Sequence, residues 1–335
     1  MRYMGASAAR VTIGIVCLAV ALSGGKKKNP DDITQTLELP KDPPAVSIGE
    51  TKRLIFSVSP LSGKGLLSQQ TRDAIKAILK ENGGVPLVHI RAFVAGSGDV
   101  RRVPQIVSEV FTEKKLSLPS VSVLRVGSLP LDNAQVVLEA VSLARRDVSP
   151  EGLRFFSGEP ATGGDGASSA RPLLDSVLSG LASKSTGGQP LLVTCYVSQL
   201  NQASELNAAV SAKFPGAAVD LVQSQRAPWR AFANCEAVVR GGDGPARLAF
   251  TGTRVAFGAA EKDATLAFQR LDRDLADAGA TPADILQTNV YPLSPSVETV
   301  LRRVRPAAPM TSIVFEGLAS VDAGFAVDAV AAVTR

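Results

Sequence analysis

The chain has 335 residues, of which 45% are apolar and 20% charged, and its formal net charge is +5. This length and composition are typical of a soluble globular protein with one large domain or two to three smaller ones. Three of the positive charges lie together at residues 26–28, whereas a nucleic-acid surface usually needs Lys and Arg clustered along one folded face. The charge distribution therefore argues against nucleic acid as a partner.

Residues 1–25 have the pattern of a signal peptide. Arg2 and Arg10 precede an apolar run, residues 11–22, which is too short to span a bilayer as a helix but has the length of a signal-peptide core. This pattern predicts an exported, periplasmic protein without a stable membrane span. The lysines at residues 26–28 resist translocation, so a cytoplasmic protein or one anchored to the membrane by its N-terminus is the alternative.

The first folded unit is predicted over residues 48–147, after a polar, proline-rich linker at residues 26–47. Residues 54–58 form a strand, and the helix that follows carries its apolar residues on one face and ends at a Gly-Gly pair. A second strand and a second helix come next. An apolar alternation over residues 119–140, interrupted by a Pro/Asp/Asn turn, then predicts a closing β-hairpin. The order of elements is β-α-β-α-β-β.

The same order of elements returns over residues 150–241 and 246–335. Ser57, Ser157 and Thr251 mark equivalent points of the first strands and are 100 and 94 residues apart. These similar spacings predict three degenerate tandem repeats of one α+β unit. A unit of this kind has helices on one face of its sheet and needs cover on the other. Three sheets packed about a pseudo-threefold axis would form a central β-barrel, so we expect a monomeric, intramolecular pseudo-trimer.

Few residues of the chain offer reactive or metal-binding side chains. Cys195 and Cys235 both fall on predicted strands of the middle unit, and we expect two buried free thiols, with a disulfide as the alternative if the strands are neighbours in an oxidising compartment. The single histidine, His89, lies in an apolar strand and is predicted to be a packed core residue rather than a base. Without CxxC pairs or acidic clusters at ligand spacing, the sequence predicts no metal and no cofactor.

Several short motifs, in the same order in each unit, resemble the Rid family, also called the YjgF or L-PSP endoribonuclease family. They are F-F-S-G at 155–158, F-T-G at 250–252, Q-T at 70–71, V-T-C-Y-V-S at 193–198, P-S-V-S-V-L-R-V-G-S-L-P at 119–130 and the acid-Ala pair of each last strand. The resemblance covers roughly residues 51–333, in three copies. It implies chorismate-mutase-like units that imitate the family's homotrimer within one chain.

The resemblance also implies a chemistry, because catalytic members of the family deaminate imines and enamines in the clefts between subunits. An arginine there clamps the substrate carboxylate, since its planar fork donates two charge-assisted hydrogen bonds. The matching positions here are Val121, Gly216 or Ala217, and Met310. No unit keeps the clamp.

The family's catalytic glutamate is also missing from all three units. Its positions, two residues before the acid-Ala pair, hold Val137, Asn234 and Ala326. The acids of the acid-Ala pairs themselves are kept. They are Glu139, Glu236 and Asp328.

These differences predict a divergent protein of the Rid type that binds a small molecule, or acts as an interaction protein, without catalysis. Glu139, Glu236 and Asp328 are the candidate ligand-binding residues, for a cationic or hydroxylated ligand in the clefts between units. The alternative is that they are structural carboxylates paired with Arg91, Arg125 or other bases.

Two other functions stay open at this point. The first is an imine or enamine deaminase with a rebuilt site. The second is an RNA-binding or endoribonuclease-like protein, in which Trp229 between Arg226 and Arg230 stacks on a base. The alternative for Trp229 is that it packs against its own unit.

Overall fold

The computed structural model describes residues 46–49 (backbone alone), 54–96, 99–143, 152–165, 168–224, 230–242, 248–305 and 310–333. The signal-peptide-like segment, most of the linker, and Arg226 and Trp229 of the predicted stacking site lie outside these residues.

The described residues form six α-helices and sixteen β-strands. The helices are α1 (Leu67–Glu81), α2 (Arg102–Glu113), α3 (Arg171–Lys184), α4 (Ala203–Lys213), α5 (Glu261–Asp277) and α6 (Ser296–Val304). The strands of the first unit and its leading segment are β1 (Val46–Gly49), β2 (Leu54–Val58), β3 (Leu87–Ala95), β4 (Ser120–Val126) and β5 (Val136–Leu143). The strands of the second unit are β6 (Leu153–Ser157), β7 (Ala161–Gly163), β8 (Gln189–Val197), β9 (Ala218–Gln223) and β10 (Ala231–Arg240). The strands of the third unit are β11 (Leu248–Phe250), β12 (Arg254–Ala256), β13 (Ile285–Pro292), β14 (Met310–Ser312), β15 (Gly317–Leu318) and β16 (Phe325–Ala332).

Helix α1 shows why these segments fold as they do. Ala74 and Ile75 lie one turn before Ile78 on the same face of the helix, and all three are buried against the first sheet. The helix ends at Glu81 and is followed by Gly83 and Gly84, both with positive φ, a conformation that costs little only for glycine. Each of the three units places its two long helices on one face of its sheet, where they cover a separate apolar core.

Each unit has the same strand order. The order is β2-β5-β3-β4 in the first sheet, β6-β10-β8-β9 in the second and β11-β16-β13-β14 in the third. The pairs β3–β4, β8–β9 and β13–β14 are parallel. The other pairs in these strand orders are antiparallel.

The predicted closing hairpin is therefore wrong. Strands β4 and β5 do not pair with each other, because β3 lies between them and pairs with both. The Pro/Asp/Asn segment is a crossing loop over the end of β3, not a tight hairpin turn.

Strand register also corrects the alignment of the units. Opposite the alanine of each acid-Ala pair stand Ser57, Phe156 and Thr251. Ser157 lies one residue further along, opposite Glu236. Because successive side chains of a strand point to opposite faces, Ser157 faces the interior, whereas Ser57 bonds to Asn82 at the end of α1 (2.7 Å between Oγ and Oδ1).

The two cysteines of the middle unit form a disulfide. Cys235 on β10 lies directly opposite Cys195 on β8, with 4.2 Å between their Cα atoms, and both are buried on the helix-covered face. The expectation of two free thiols is therefore wrong, because the ladder brings together two residues that are 40 positions apart in sequence.

The faces that the helices leave uncovered meet at the centre of the molecule. Two apolar clusters there receive side chains from all three units, one around Phe315 with Phe93, Tyr196 and Tyr291, the other around Phe155. The rings of Phe93, Tyr196 and Tyr291 lie 5.4–6.1 Å from that of Phe315. Burial of these rings ties the three units into one core.

The described strands do not close into a barrel. They form sheets of seven, five and four strands, with β1 added to β6 and β15 added to β9. The sheets of the first and second units contact each other through side chains. Ser122 Oγ on β4, for example, forms a hydrogen bond of 3.0 Å with Ser157 Oγ on β6. The predicted β-barrel is thus replaced by sheets that pack through their side chains. Among the described helices, none is both long and apolar enough to cross a membrane.

Candidate functional site

A polar layer runs through the centre of the molecule between the two shared apolar clusters. The three candidate acids occupy equivalent registers of the last strands and face three polar residues of the central strands. The pairs are Glu139 with Arg91, Glu236 with Thr194, and Asp328 with Asn289. Strand alternation turns these side chains inward, because their sequence neighbours pack against the helices. The three acids thus lie at corresponding register positions of their sheets, in the interior of the molecule.

Arg91 is the hub of this layer and joins two units. Its Nη1 donates to Glu139 Oε2 at 2.8 Å, and its Nε donates to Glu236 Oε1 at 2.7 Å. Nη2 donates to the same Oε1 of Glu236. Burial alone would lower the pKa of Arg91, but Glu236 and Glu139 outweigh burial and raise it. The guanidinium is therefore charged, and all three of its nitrogens are engaged by carboxylates.

Glu236 is ionised in spite of its burial. Burial would raise its pKa, but Arg91 and His89 outweigh that effect and hold the pKa well below the usual range. Its second oxygen, Oε2, lies 3.1 Å from Nε2 of His89. One carboxylate thus connects the second unit with two side chains of β3 in the first.

His89 is buried, as the sequence predicted, but it is part of the polar layer. Its Nδ1 lies 2.8 Å from Ser120 Oγ, and its ring stacks on that of Phe155 with 6.1 Å between centroids. The order Ser120, His89, Glu236 resembles that of a nucleophile, a base and an acid. Ser120, however, is fully buried and bonds to Val88 O, so no substrate reaches its hydroxyl. The histidine holds Glu236 in place.

Asp328 has a different environment from the two glutamates. It accepts hydrogen bonds from Tyr291 Oη at 2.5 Å and from Asn289 Nδ2 at 2.8 Å. Burial raises its pKa to about 6, although these two hydrogen bonds act in the opposite direction. Nearby Asp220, on β9, is fully buried, and burial together with the charge of Asp328 raises its pKa well above the usual value.

This arrangement predicts that stability falls as pH rises from about 4 to about 6. In that window the native Asp328 holds a proton that the unfolded chain has lost, so the native state binds more protons and each step up in pH favours unfolding. We expect the free energy of unfolding to fall by on the order of 2 kcal/mol on this account. Denaturant unfolding of the wild type and of Asp328→Asn across this window measures it.

The matched control for that experiment is Asp277→Asn, at the exposed end of α5. Its pH profile should follow that of the wild type, whereas the profile of Asp328→Asn should be flatter. Equal slopes for all three proteins would contradict a protonated Asp328.

A cavity of about 60 Å³ opens into the polar layer. Residues of all three units form its wall, among them Glu139, Glu236, Arg91 and His89. Asp328 is 1% exposed and does not line it. The remainder of the wall is mainly apolar. Its apolar side chains include those of Phe56, Phe155, Phe250, Leu192, Val238 and Val330.

Glu139 differs from Glu236 in its free acceptor. Both oxygens of Glu236 are bonded, but among the described residues only Arg91 bonds Glu139, through Oε2. Oε1 of Glu139 accepts no hydrogen bond from the described residues, and the side chain lines the cavity with 12% of its surface exposed. The cavity therefore offers a ligand one unoccupied carboxylate oxygen.

The three positions of the family's arginine carry no cation. Parallel register places Val121, Val219 and Met310 at equivalent points of β4, β9 and β14. The sequence alignment to Gly216 or Ala217 was wrong, since both residues precede the matching point of β9.

The three positions of the family's glutamate face aromatic rings. Val137, Asn234 and Ala326 lie opposite Phe93, Tyr196 and Tyr291. Of the three, only Asn234 is polar, and its Nδ2 lies 3.4 Å from Val123 O on the neighbouring unit.

Sequence reasoning missed the hub and part of the cavity. Arg91 was considered only as one of several partners for the acids, although a lone arginine in the apolar strand L-V-H-I-R-A-F-V-A was a usable signal. Asp220, an acid within the apolar strand A-V-D-L-V-Q, was a second sequence signal of a buried polar group.

Arg230, the described member of the predicted stacking site, is exposed. The described residues contain no group of three His, Cys, Asp or Glu side chains placed to hold a metal ion.

The sequence and the fold were compared with those of known proteins. No protein-family model matches the chain, and no curated protein sequence does. A chorismatase structure matches 85% of this chain and all of its own, with a TM-score of 0.50 and 12% identity. The chain therefore shares the fold of that structure.

Structures of YjgF/Rid proteins also match, over about a quarter of this chain. A YjgF/YER057c/UK114 family protein from Mycobacterium tuberculosis is 20% identical over 27% of this chain and 82% of its own, with a TM-score of 0.25. E. coli TdcF, in a structure with bound serine, is 18% identical over 27% of this chain and 80% of its own, also with a TM-score of 0.25.

Proposed function

We propose that the chain is an intramolecular pseudo-trimer of three Rid-like units that binds a small molecule in its central cavity and does not turn it over. Two features support the pseudo-trimer. The strand order recurs in the three sheets, and the three acids share one register. Because the repeats occupy one another's partner surfaces, the protein is monomeric.

The observation that carries the absence of turnover is the environment of Arg91. A free guanidinium in the cavity would hold the carboxylate of an imino acid, as the resemblance to the deaminases requires. Here every nitrogen of Arg91 already donates to Glu139 or Glu236. A carboxylate entering the cavity would meet two negative groups and no unengaged guanidinium.

Binding is favoured by the shape and chemistry of the cavity wall. An enclosed, mainly apolar wall with a few converging polar groups is the usual form of a small-molecule site. Here the wall combines four phenylalanines with Glu139, Glu236, Asn289 and Gln287. The ligand thus lies at the centre of the three units, inside the molecule, and not in the outer clefts that the resemblance suggested.

The disulfide supports the proposal that the protein is exported. Stable disulfides belong mainly to oxidising compartments, and Cys195–Cys235 is buried in the middle unit. The signal-peptide pattern of residues 1–25 points to the same compartment.

Release of ammonia from freshly generated 2-iminopropanoate tests the absence of turnover. The purified protein is compared with a buffer blank and with an active Rid deaminase, and we expect a rate equal to the blank. A thermal-shift screen with uncharged, cationic and anionic compounds of two to five carbons tests binding, since a ligand of the native state raises the unfolding temperature. Ammonia release near the rate of the deaminase, or no stabilisation by any compound, would overturn the proposed function.

A further inference from the structure

We infer that the cavity selects a small organic cation, a primary ammonium on a short apolar body, with Glu139 as its acceptor. This inference rests on the proposed function and assigns the class of ligand to that site. It follows from the charge of the wall, the free acceptor on Glu139 and the apolar part of the wall.

The charge of the wall favours a cation. Arg91 carries the one permanent positive charge among the described wall residues, and Glu139 and Glu236 carry two negative charges. Interactions between charges are strong at a buried site, where water screens them little. His89 and two nitrogens of Arg91 face Glu236, whereas a single nitrogen of Arg91 bonds Glu139. Glu139 would therefore attract an ammonium group and repel an anion.

The acceptors on the wall suit an ammonium group. Glu139 lines the cavity, and its Oε1 accepts no hydrogen bond from the described residues, while Oε2 accepts one from Arg91. The bond to Arg91 fixes the orientation of the carboxylate, so little side-chain entropy is lost when a ligand binds. An ammonium donor bonded to Oε1 would form a charge-assisted hydrogen bond.

The apolar part of the wall suits a short apolar body. Phe56, Phe155 and Phe250 come from the three units, and Val238 and Val330 lie beside them. Aromatic faces attract a neighbouring cation as well as apolar groups. The volume of about 60 Å³ holds about four water-sized groups, the size of a three-carbon amine.

Three probes of nearly equal size test the class of ligand on the unaltered protein. Calorimetric titration compares propylamine, which is protonated at pH 7, with 1-propanol and with propionate. We expect propylamine to bind at least about tenfold more tightly than 1-propanol and propionate not to bind. Equal or tighter binding of 1-propanol or propionate would overturn the ligand class while leaving a binding cavity. Failure of all three probes to bind would overturn both the ligand class and the assignment of this cavity as a small-molecule site.

The variant Glu139→Gln tests the acceptor. Its side chain keeps the shape of glutamate but loses the negative charge, so propylamine should bind about tenfold more weakly and 1-propanol as before. Glu205→Gln, on the exposed face of α4, is the matched control and should bind propylamine as the wild type does. Unchanged propylamine binding in a folded Glu139→Gln protein would overturn the role of Glu139. If that variant does not fold, the comparison of the three probes on the wild type still decides the ligand class.

Discussion

Replacing Arg91 with methionine is expected to destabilise the protein by about 3–5 kcal/mol. Methionine fills a similar volume but leaves Glu139, with 12% of its side chain exposed, without a partner among the described residues. Glu236, with 8% exposed, then keeps only His89. A buried carboxylate without a partner is costly because neither water nor another charge compensates it. Urea unfolding followed by circular dichroism measures the loss.

Arg101→Met is the matched control for that substitution. Arg101 also pairs with a carboxylate, Asp99, at 3.0 Å, but 85% of its side chain is exposed. Its removal should leave the free energy of unfolding nearly unchanged, because water screens this exposed pair. Adding Glu139→Gln and Glu236→Gln to Arg91→Met should recover part of the loss, since the unpaired charges are then gone. A loss under about 1 kcal/mol for Arg91→Met alone would show that the buried network does not stabilise the fold.

Removing the disulfide with Cys195→Ala and Cys235→Ala together is expected to cost about 2–4 kcal/mol. The bond joins two residues that are 40 positions apart in sequence and so restricts the unfolded chain. In the folded variant, β8 and β10 should keep their backbone hydrogen bonds. Both cysteines also pack in the core of the middle unit, and alanine leaves a small gap there. Chemical unfolding without reductant gives the difference from the wild type.

Reductant supplies the control for the disulfide. Wild-type protein unfolded and refolded with reductant should lose most of the same free energy, and the double alanine variant should not respond to reductant. If reductant leaves the wild type unchanged under conditions that reduce the unfolded chain, the bond between Cys195 and Cys235 is not what stabilises the middle unit.

Much of the fold could be predicted from local patterns. The two-residue period placed Glu139, Glu236 and Asp328 at matching points of three strands, and helix spacing with a glycine stop predicted α1 nearly to its ends. Strand pairing could not be predicted in this way, because the residues of β4 and β5 do not encode that β3 lies between them. The register of Ser157 failed for a similar reason, since a shift of one residue is invisible in a degenerate repeat.

The candidate site was predicted only in part. The acids were identified, but their common partner lies 145 positions from Glu236 in sequence, and that contact depends on how two sheets pack. The disulfide likewise follows from a ladder register that no spacing of cysteines determines. Arg91 changes the interpretation of the acids, because it donates to Oε1 of Glu236 and to Oε2 of Glu139, and His89 engages the other oxygen of Glu236.

A crystal structure of the protein grown with propylamine would test the central claim most directly, since that claim places a ligand at the centre of the three units. We expect electron density for the amine among Phe56, Phe155 and Phe250, with its nitrogen about 3 Å from Glu139 Oε1. A structure in which the amine binds only at the outer surface, with the cavity wall unchanged, would contradict the account.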